Sequence, residues 1–273
     1  AEATRDLSIA LDNIGAVAHE TGDLPAARAA YQESLTIAWQ LFETTPASAQ
    51  AARDLTVSLD ALGIVASETG DLSTARTAYQ ESLHIRRQLF ETNPGSAQAA
   101  RDLSISLDNV GVAASEAGDL PAAQAAYAES VNIRRRLFAA NPDSSVAARD
   151  LSASLHYIGR TAHEAGDLPA ARTAYQESLN IRQRLFDANP ASTQAARDLS
   201  IALDAFGTAA SEVDDLAAAR AAYRESLNIR RRLFEANPDS SQAARDLTVA
   251  LENVGLVASE ADDLPAARAA HQE

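Results

Sequence analysis

The sequence predicts an all-α solenoid built from antiparallel helix pairs. Three observations predict it: a repeat of fixed length, apolar residues that step by three and four inside each repeat, and turn-forming residues at the same two places in every repeat. The string Arg-Asp-Leu begins at Arg5, Arg53, Arg101, Arg149, Arg197 and Arg245, each 48 residues after the last. Dividing 273 residues by 48 gives about 5.7 repeats, with boundaries near 1–46, 47–94, 95–142, 143–190, 191–238 and 239–273. A chain of this length would otherwise suggest one or two ordinary domains, but a fixed period makes it a single array of stacked units.

Within the second repeat, Ala52, Leu55, Leu59, Leu62 and Ala66 draw one apolar stripe along a helix of about six turns, here called helix A. Gly70 then stands where a left-handed stop residue belongs and Asp71 where an N-cap belongs, so the chain reverses tightly. Helix B follows. Pro25, Pro121, Pro169 and Pro265 fall two residues after that aspartate, a place proline tolerates because it lies in the first helical turn. Ala75, Ala78, Tyr79, Ser82, Ile85 and Leu89 form the inner side of helix B. It ends at Asn93-Pro94, and Ser96 caps the next helix A. In the last two repeats the turn glycine is replaced by Asp214 and Asp262, which enter the left-handed region at some cost.

Several positions hold this register along the chain: Gly63, Gly111 and Gly159 in helix A, Tyr79, Tyr127 and Tyr175 in helix B, and the closing Pro94 and Pro142. A mid-helix glycine costs roughly 1 kcal/mol relative to alanine, so its recurrence predicts a close helix crossing. Gly63 is expected to admit Ala75 and Ser82 of helix B, with Tyr79 filling space against the following repeat.

Leu62-Gly63, Gly70-Asp71, Ala75, Tyr79 and Pro94 together resemble the tetratricopeptide repeat, and they do so throughout the chain. The standard unit of that family is shorter, about 34 residues. Here the closing proline falls seven residues late and the next glycine a further seven, so each helix is two turns longer, which preserves its apolar face. The result is similar to the extended-repeat arrays of bacterial multidomain proteins. The resemblance implies a right-handed superhelix with helix A on the concave groove and helix B outside. It also implies a scaffold or sensor module that binds a protein or peptide as part of a larger signalling or regulatory protein. The alternative is a structural, self-assembling array. Because the sequence opens inside one helix A and stops partway along a helix B, it is expected to be truncated at both ends, exposing apolar faces that favour end-to-end association.

Composition excludes several chemistries. The chain has no cysteine and no lysine, which removes thiolate nucleophiles, Cys-ligated zinc, a Walker lysine and Schiff-base mechanisms. A net charge of −15 opposes a phosphate backbone, so nucleic acid is not an expected partner. No apolar run reaches the roughly 18 residues of a membrane span and no leader opens the chain, so a cytoplasmic protein is expected. Paired carboxylates occur only in a regular ladder without a tuned partner, so neither catalysis, nor a cofactor, nor a metal site is expected.

The candidate binding residues lie on helix A. One position reads Asp12, Asp60, Asp108, His156, Asp204 and Glu252 along the array, and a second is glutamate from Glu20 through Glu260. Such carboxylates either stand solvated or pair with Arg53-type residues of neighbouring repeats, or they line an acidic groove that selects a basic partner. The fourth repeat departs most, placing His156, Tyr157, Arg160 and His163 where the second has Asp60, Ala61, Ile64 and Ser67. Spacings of four and three put the three basic residues on one stripe, a composition suited to recognition but too spread for a metal. His156, flanked by Asp108 and Asp204 in the ladder, is expected to favour its protonated form. Arg86-Arg87, Arg134 to Arg136 and Arg230 to Arg232 are expected near the end of helix B, paired with residues such as Glu91 and Glu235. Trp39, in the register of Arg87, marks either a partner contact or drift.

Overall fold

The computed structural model describes residues 2–261. In that range the chain forms eleven α-helices, and no strand occurs among the described residues. They are α1 (Glu2–Glu20), α2 (Leu24–Thr44), α3 (Ala49–Glu68), α4 (Leu72–Thr92), α5 (Ala97–Glu116), α6 (Leu120–Ala140), α7 (Ser145–Glu164), α8 (Leu168–Ala188), α9 (Thr193–Glu212), α10 (Leu216–Ala236) and α11 (Ser241–Glu260). Odd-numbered helices are the predicted helices A and even-numbered ones the helices B. At 20 or 21 residues for all but the first, each spans about 30 Å.

Each boundary has a local cause. Gly22, Gly70, Gly118 and Gly166 turn the chain with φ between 75° and 80°, and Asp214 does the same at φ 61°. Asp262 lies outside the described residues. The aspartate after the turn then caps helix B: Asp71 Oδ1 accepts from the Thr74 amide at 3.2 Å and Asp167 Oδ1 from the Ala170 amide at 3.1 Å. At the other reversal the Asn93 amide donates to the Phe90 carbonyl, and Ser96 Oγ accepts from the Ala99 amide at 3.1 Å to open α5. Serine and aspartate are strong N-caps, each contributing about 1 kcal/mol.

The described residues form two compact halves that divide between Leu137 and Phe138. In the N-terminal half α2 packs between α1 and α3, and α4 between α3 and α5, so each of these helices B bridges two helices A. The C-terminal half repeats this, with α8 between α7 and α9 and α10 between α9 and α11. Its core gathers Tyr175, Leu199, Leu203, Phe206 and Tyr223.

The helix crossing turns on a glycine and a tyrosine. A methyl group on Gly111 would lie 2.6 Å from the Tyr127 ring, and one on Gly159 would lie 2.7 Å from that of Tyr175. Gly63 stands against Tyr79 in the same way. The residue that needs the glycine is therefore the tyrosine of the same repeat's helix B, rather than Ala75 and Ser82. Tyr79 also reaches Ala113 of the next repeat, as the sequence suggests.

Candidate functional site

Of the aspartates expected to line an open groove, two are buried and Asp12 and Asp204 are half-buried, whereas Glu252 and the glutamate ladder are exposed. Asp60 and Asp108 are 9% and 7% exposed. Asp60 Oδ2 lies 2.7 Å from Arg86 Nη2, Asp108 Oδ2 lies 2.8 Å from Arg134 Nη1, and Asp204 Oδ2 lies 2.5 Å from Arg230 Nη2. Each pair joins helix A to helix B of one repeat. This corrects two expectations at once. The aspartates do not pair with Arg53-type residues, and Arg86, Arg134 and Arg230 are core residues rather than helix-end charges paired with Glu91 or Glu235.

The arginine does more than neutralise the acid. Arg86 Nε donates to Thr56 Oγ1 at 3.1 Å, and its Nη1 donates to Ser106 Oγ at 3.0 Å and the Asp102 carbonyl at 3.3 Å. It therefore bridges its own repeat to the next. Arg230 repeats the pattern through Ser200 Oγ and the Asp246 carbonyl. Burial is the first influence on the Asp60 and Asp204 carboxyls and pushes both pKa values up, with the facing guanidinium pulling back. Asp12 has Ala38 in place of an arginine; it is held by the Ser58 hydroxyl at 3.2 Å, and burial raises its pKa as well.

The Arg53-type residues make a second, outer set of rungs. Arg5 reaches Asp54 at 2.6 Å, Arg53 reaches Asp102 at 3.5 Å and Arg197 reaches Asp246 at 3.7 Å. The glutamate ladder is likewise engaged: Glu68 meets His19 at 2.8 Å, and Glu116 and Glu260 accept from Ser67 and Ser211. Arg87 forks onto Glu129 with two contacts of 2.9 Å. Trp39, at its position in the first repeat, packs on the Ala38, Leu55 and Leu59 cluster and meets Phe42 edge-on at 6.1 Å.

In repeat four the four singled-out residues divide. Tyr157, Arg160 and His163 lie along the partly exposed side of α7, with the Arg160 guanidinium 5.7 Å from the Tyr157 ring and His163 paired to Glu212 at 2.7 Å. His156 points inward against Tyr175 at 5.5 Å, and its Nδ1 has no hydrogen-bond partner. Its expected protonation is overturned. Burial first, then Arg182 and Arg160, push its pKa down to about 4, so it is neutral near pH 7.

One feature of the helix-A surface escapes charge-based reasoning. Ile9, Val57, Ile201 and Val249 share one repeat position, and all are between 40% and 51% exposed. Ile64, two turns after Val57, extends the same face of α3. A β-branched residue recurring at one repeat position was the signal available in the sequence. No helix among the described residues is long and apolar enough to cross a membrane, and they contain no cluster of three or more histidine and acidic residues able to hold a metal.

Helix pairs of constant length, capped alike and joined by a recurring buried ion pair, define an α-helical repeat protein. Within that class, a tetratricopeptide repeat model matches residues 55–94, 104–143, 151–191 and 201–240, together more than half of the chain. The chain belongs to the tetratricopeptide repeat family. Solved structures show the same fold. BtubC (BKLC) from P. vanneervenii superposes with a TM-score of 0.70 at 19% identity, over 90% of this chain and 87% of that one. RapI in its apo form gives 0.63 at 12% identity, over 97% and 95%. No curated protein matches the chain. Repeats of this family are typically non-catalytic interaction scaffolds.

Proposed function

We propose that the chain is a peptide- or protein-binding scaffold or sensor module of the extended-repeat type, working in the cytoplasm as one array within a larger signalling or regulatory protein. The observation that carries this is the row of half-exposed branched residues on helices A. Successive helices A touch each other, α1 with α3 and α9 with α11, and Ile9 with Val57 and Ile201 with Val249 hold the same repeat position on those helices. An apolar strip bordered by charge is the composition of an interface core with a polar rim. The carboxylate excess favours a partner that carries basic residues beside its apolar ones, and Tyr157 with Arg160 supplies an aromatic and arginine anchor in repeat four. Peptide-display selection on the whole chain tests the reading. Enriched peptides should combine apolar and basic residues, and binding should fall at least tenfold in Val57→Ser/Ile64→Ser or in Tyr157→Ala/Arg160→Ile/His163→Ser. Binding left intact by both variants overturns it.

A second reading, end-to-end assembly, also has a specific observation. Leu7, Ile14 and Val17 of α1 are 50%, 59% and 62% exposed, whereas Leu55, Leu62 and Val65 at the same positions of α3 are 0%, 7% and 0% exposed. In α3 the preceding helix pair covers that face. A further pair or a second copy would cover it in α1.

A further inference from the structure

Repeat four differs from its siblings at the buried arginine. In repeats two, three and five that guanidinium holds an aspartate at 2.5 to 2.8 Å. In repeat four His156 takes the aspartate's place, and the hydrogen-bond partners of Arg182 are neutral: Ser152 Oγ at 3.4 Å and the Asp198 carbonyl oxygen at 2.9 Å. The outer rung is open as well. Arg5, Arg53 and Arg197 each meet an aspartate of the next repeat's helix A. Among the described residues no such contact joins Arg149 to Asp198, whose carboxylate keeps the contact from Gln194 Nε2 at 2.8 Å that Asp54, Asp102 and Asp246 also receive from Gln50, Gln98 and Gln242.

Both residues line one cavity of about 210 Å³ between α7, α8 and α9, whose wall also includes Asn189, Ser192 and Asp198. Two arginines against one aspartate leave the cavity a net positive charge. Burial disfavours the charged Arg182 guanidinium even with the Asp198 carboxylate pulling the other way, and its planar fork matches a carboxylate. A space of this size holds several waters, enough for a carboxylate on a short side chain or chain end. We propose that this cavity binds a single carboxylate group, which supplies to repeat four the charge that Asp60, Asp108 and Asp204 supply within their own repeats. The site rests on repeat four alone and does not depend on the apolar strip. His156, neutral at pH 7, does not compete for the anion.

The test is a titration of the full chain with sodium acetate, chloride being exchanged to hold ionic strength constant, read on the Nε–Hε resonances of its arginines. Arg182 and Arg149 should shift to saturation while Arg230, already paired, does not. His156→Asp recreates the sibling pair and should weaken acetate binding at least tenfold. Arg149→Ala, at an exposed position independent of folding, should weaken it severalfold. A response without saturation, or one unchanged in His156→Asp, overturns the site. Two short peptides then identify the source: one has an amidated end and one glutamate, the other a free end and no acidic side chain. Displacement of acetate by either supports the site.

Discussion

Asp60 on helix A and Arg86 on helix B form a pair that recurs in the same register as Asp108 with Arg134 and Asp204 with Arg230. Removing one partner of such a pair strands a charge in the core, at a cost of about 3 to 5 kcal/mol. Asp60→Ala and Arg86→Ala should each destabilise the N-terminal half by that order in urea unfolding. The double variant should cost less than their sum, because each single change already breaks the pair. His156 behaves in the opposite sense with pH. Its folded-state pKa of about 4 lies below the ordinary value of 6.5, so the unfolded chain binds its proton first. The folded state is therefore fully favoured above pH 6.5, and this contribution is lost as pH falls toward 4, about 3 kcal/mol in all. Melting of the C-terminal half followed from pH 7 to 4 should show the loss, and His156→Asp should reduce it. Six repeats amount to an internal alignment, and in it the pairing was legible: where the arginine is missing, at Ala38, the aspartate has no guanidinium, and where the aspartate is missing, at His156, Arg182 hydrogen-bonds only neutral groups. Reading the helix-A column and the helix-B column separately hid that relation. The protonation of His156 was illegible for a different reason, since it depends on how deeply the ring is enclosed and on Arg182, a residue of the neighbouring helix.

At the scale of one helix, the punctuation in the sequence determined nearly everything. Gly70, Asp71, Asn93 and Ser96 act on their immediate neighbours, so their roles follow from local backbone geometry and were legible without tertiary structure. The glycine inside helix A was legible as a close approach, but its partner was not, because the spacing along the chain does not say which side chain of helix B crosses it. That partner decides a prediction. Gly111→Ala gains up to about 1 kcal/mol of helix propensity, yet its methyl would stand 2.6 Å from the ring of Tyr127, which is fully buried. Overpacking of this kind costs about 1 to 3 kcal/mol, so the net effect should be destabilising. A reduced cost of Gly111→Ala in a Tyr127→Leu background would identify the ring as the obstacle, whereas a more stable Gly111→Ala single variant would contradict the close crossing. At the turn before α10 the sign reverses. Asp214 holds φ 61°, a conformation that costs a side chain about 1 to 2 kcal/mol and glycine nothing. Asp214→Gly should raise the melting temperature of the C-terminal half.

For the molecule as a whole, the fixed repeat period made the solenoid legible, while the choice between binding a partner and assembling with itself depends on surfaces that the period leaves open. Charge separates the two. The chain carries −15, so a second copy approaches against mutual repulsion, whereas a basic peptide approaches with attraction. Screening acts on both with opposite effect, the Debye length falling from about 10 Å at 0.1 M salt to about 3 Å at 1 M. If Leu7, Ile14 and Val17 of α1 meet another copy, sedimentation velocity at fixed protein concentration should show association increasing between about 0.05 and 0.5 M salt. The variant Leu7→Glu/Val17→Glu should abolish it with helicity intact, because these side chains are 50% and 62% exposed. Over the same range the affinity for a selected apolar and basic peptide should decline, and the α1 variant should leave that affinity unchanged. Association that weakens with salt would assign the contact to charge rather than to the apolar face of α1, and peptide binding lost in the α1 variant would merge the two surfaces into one.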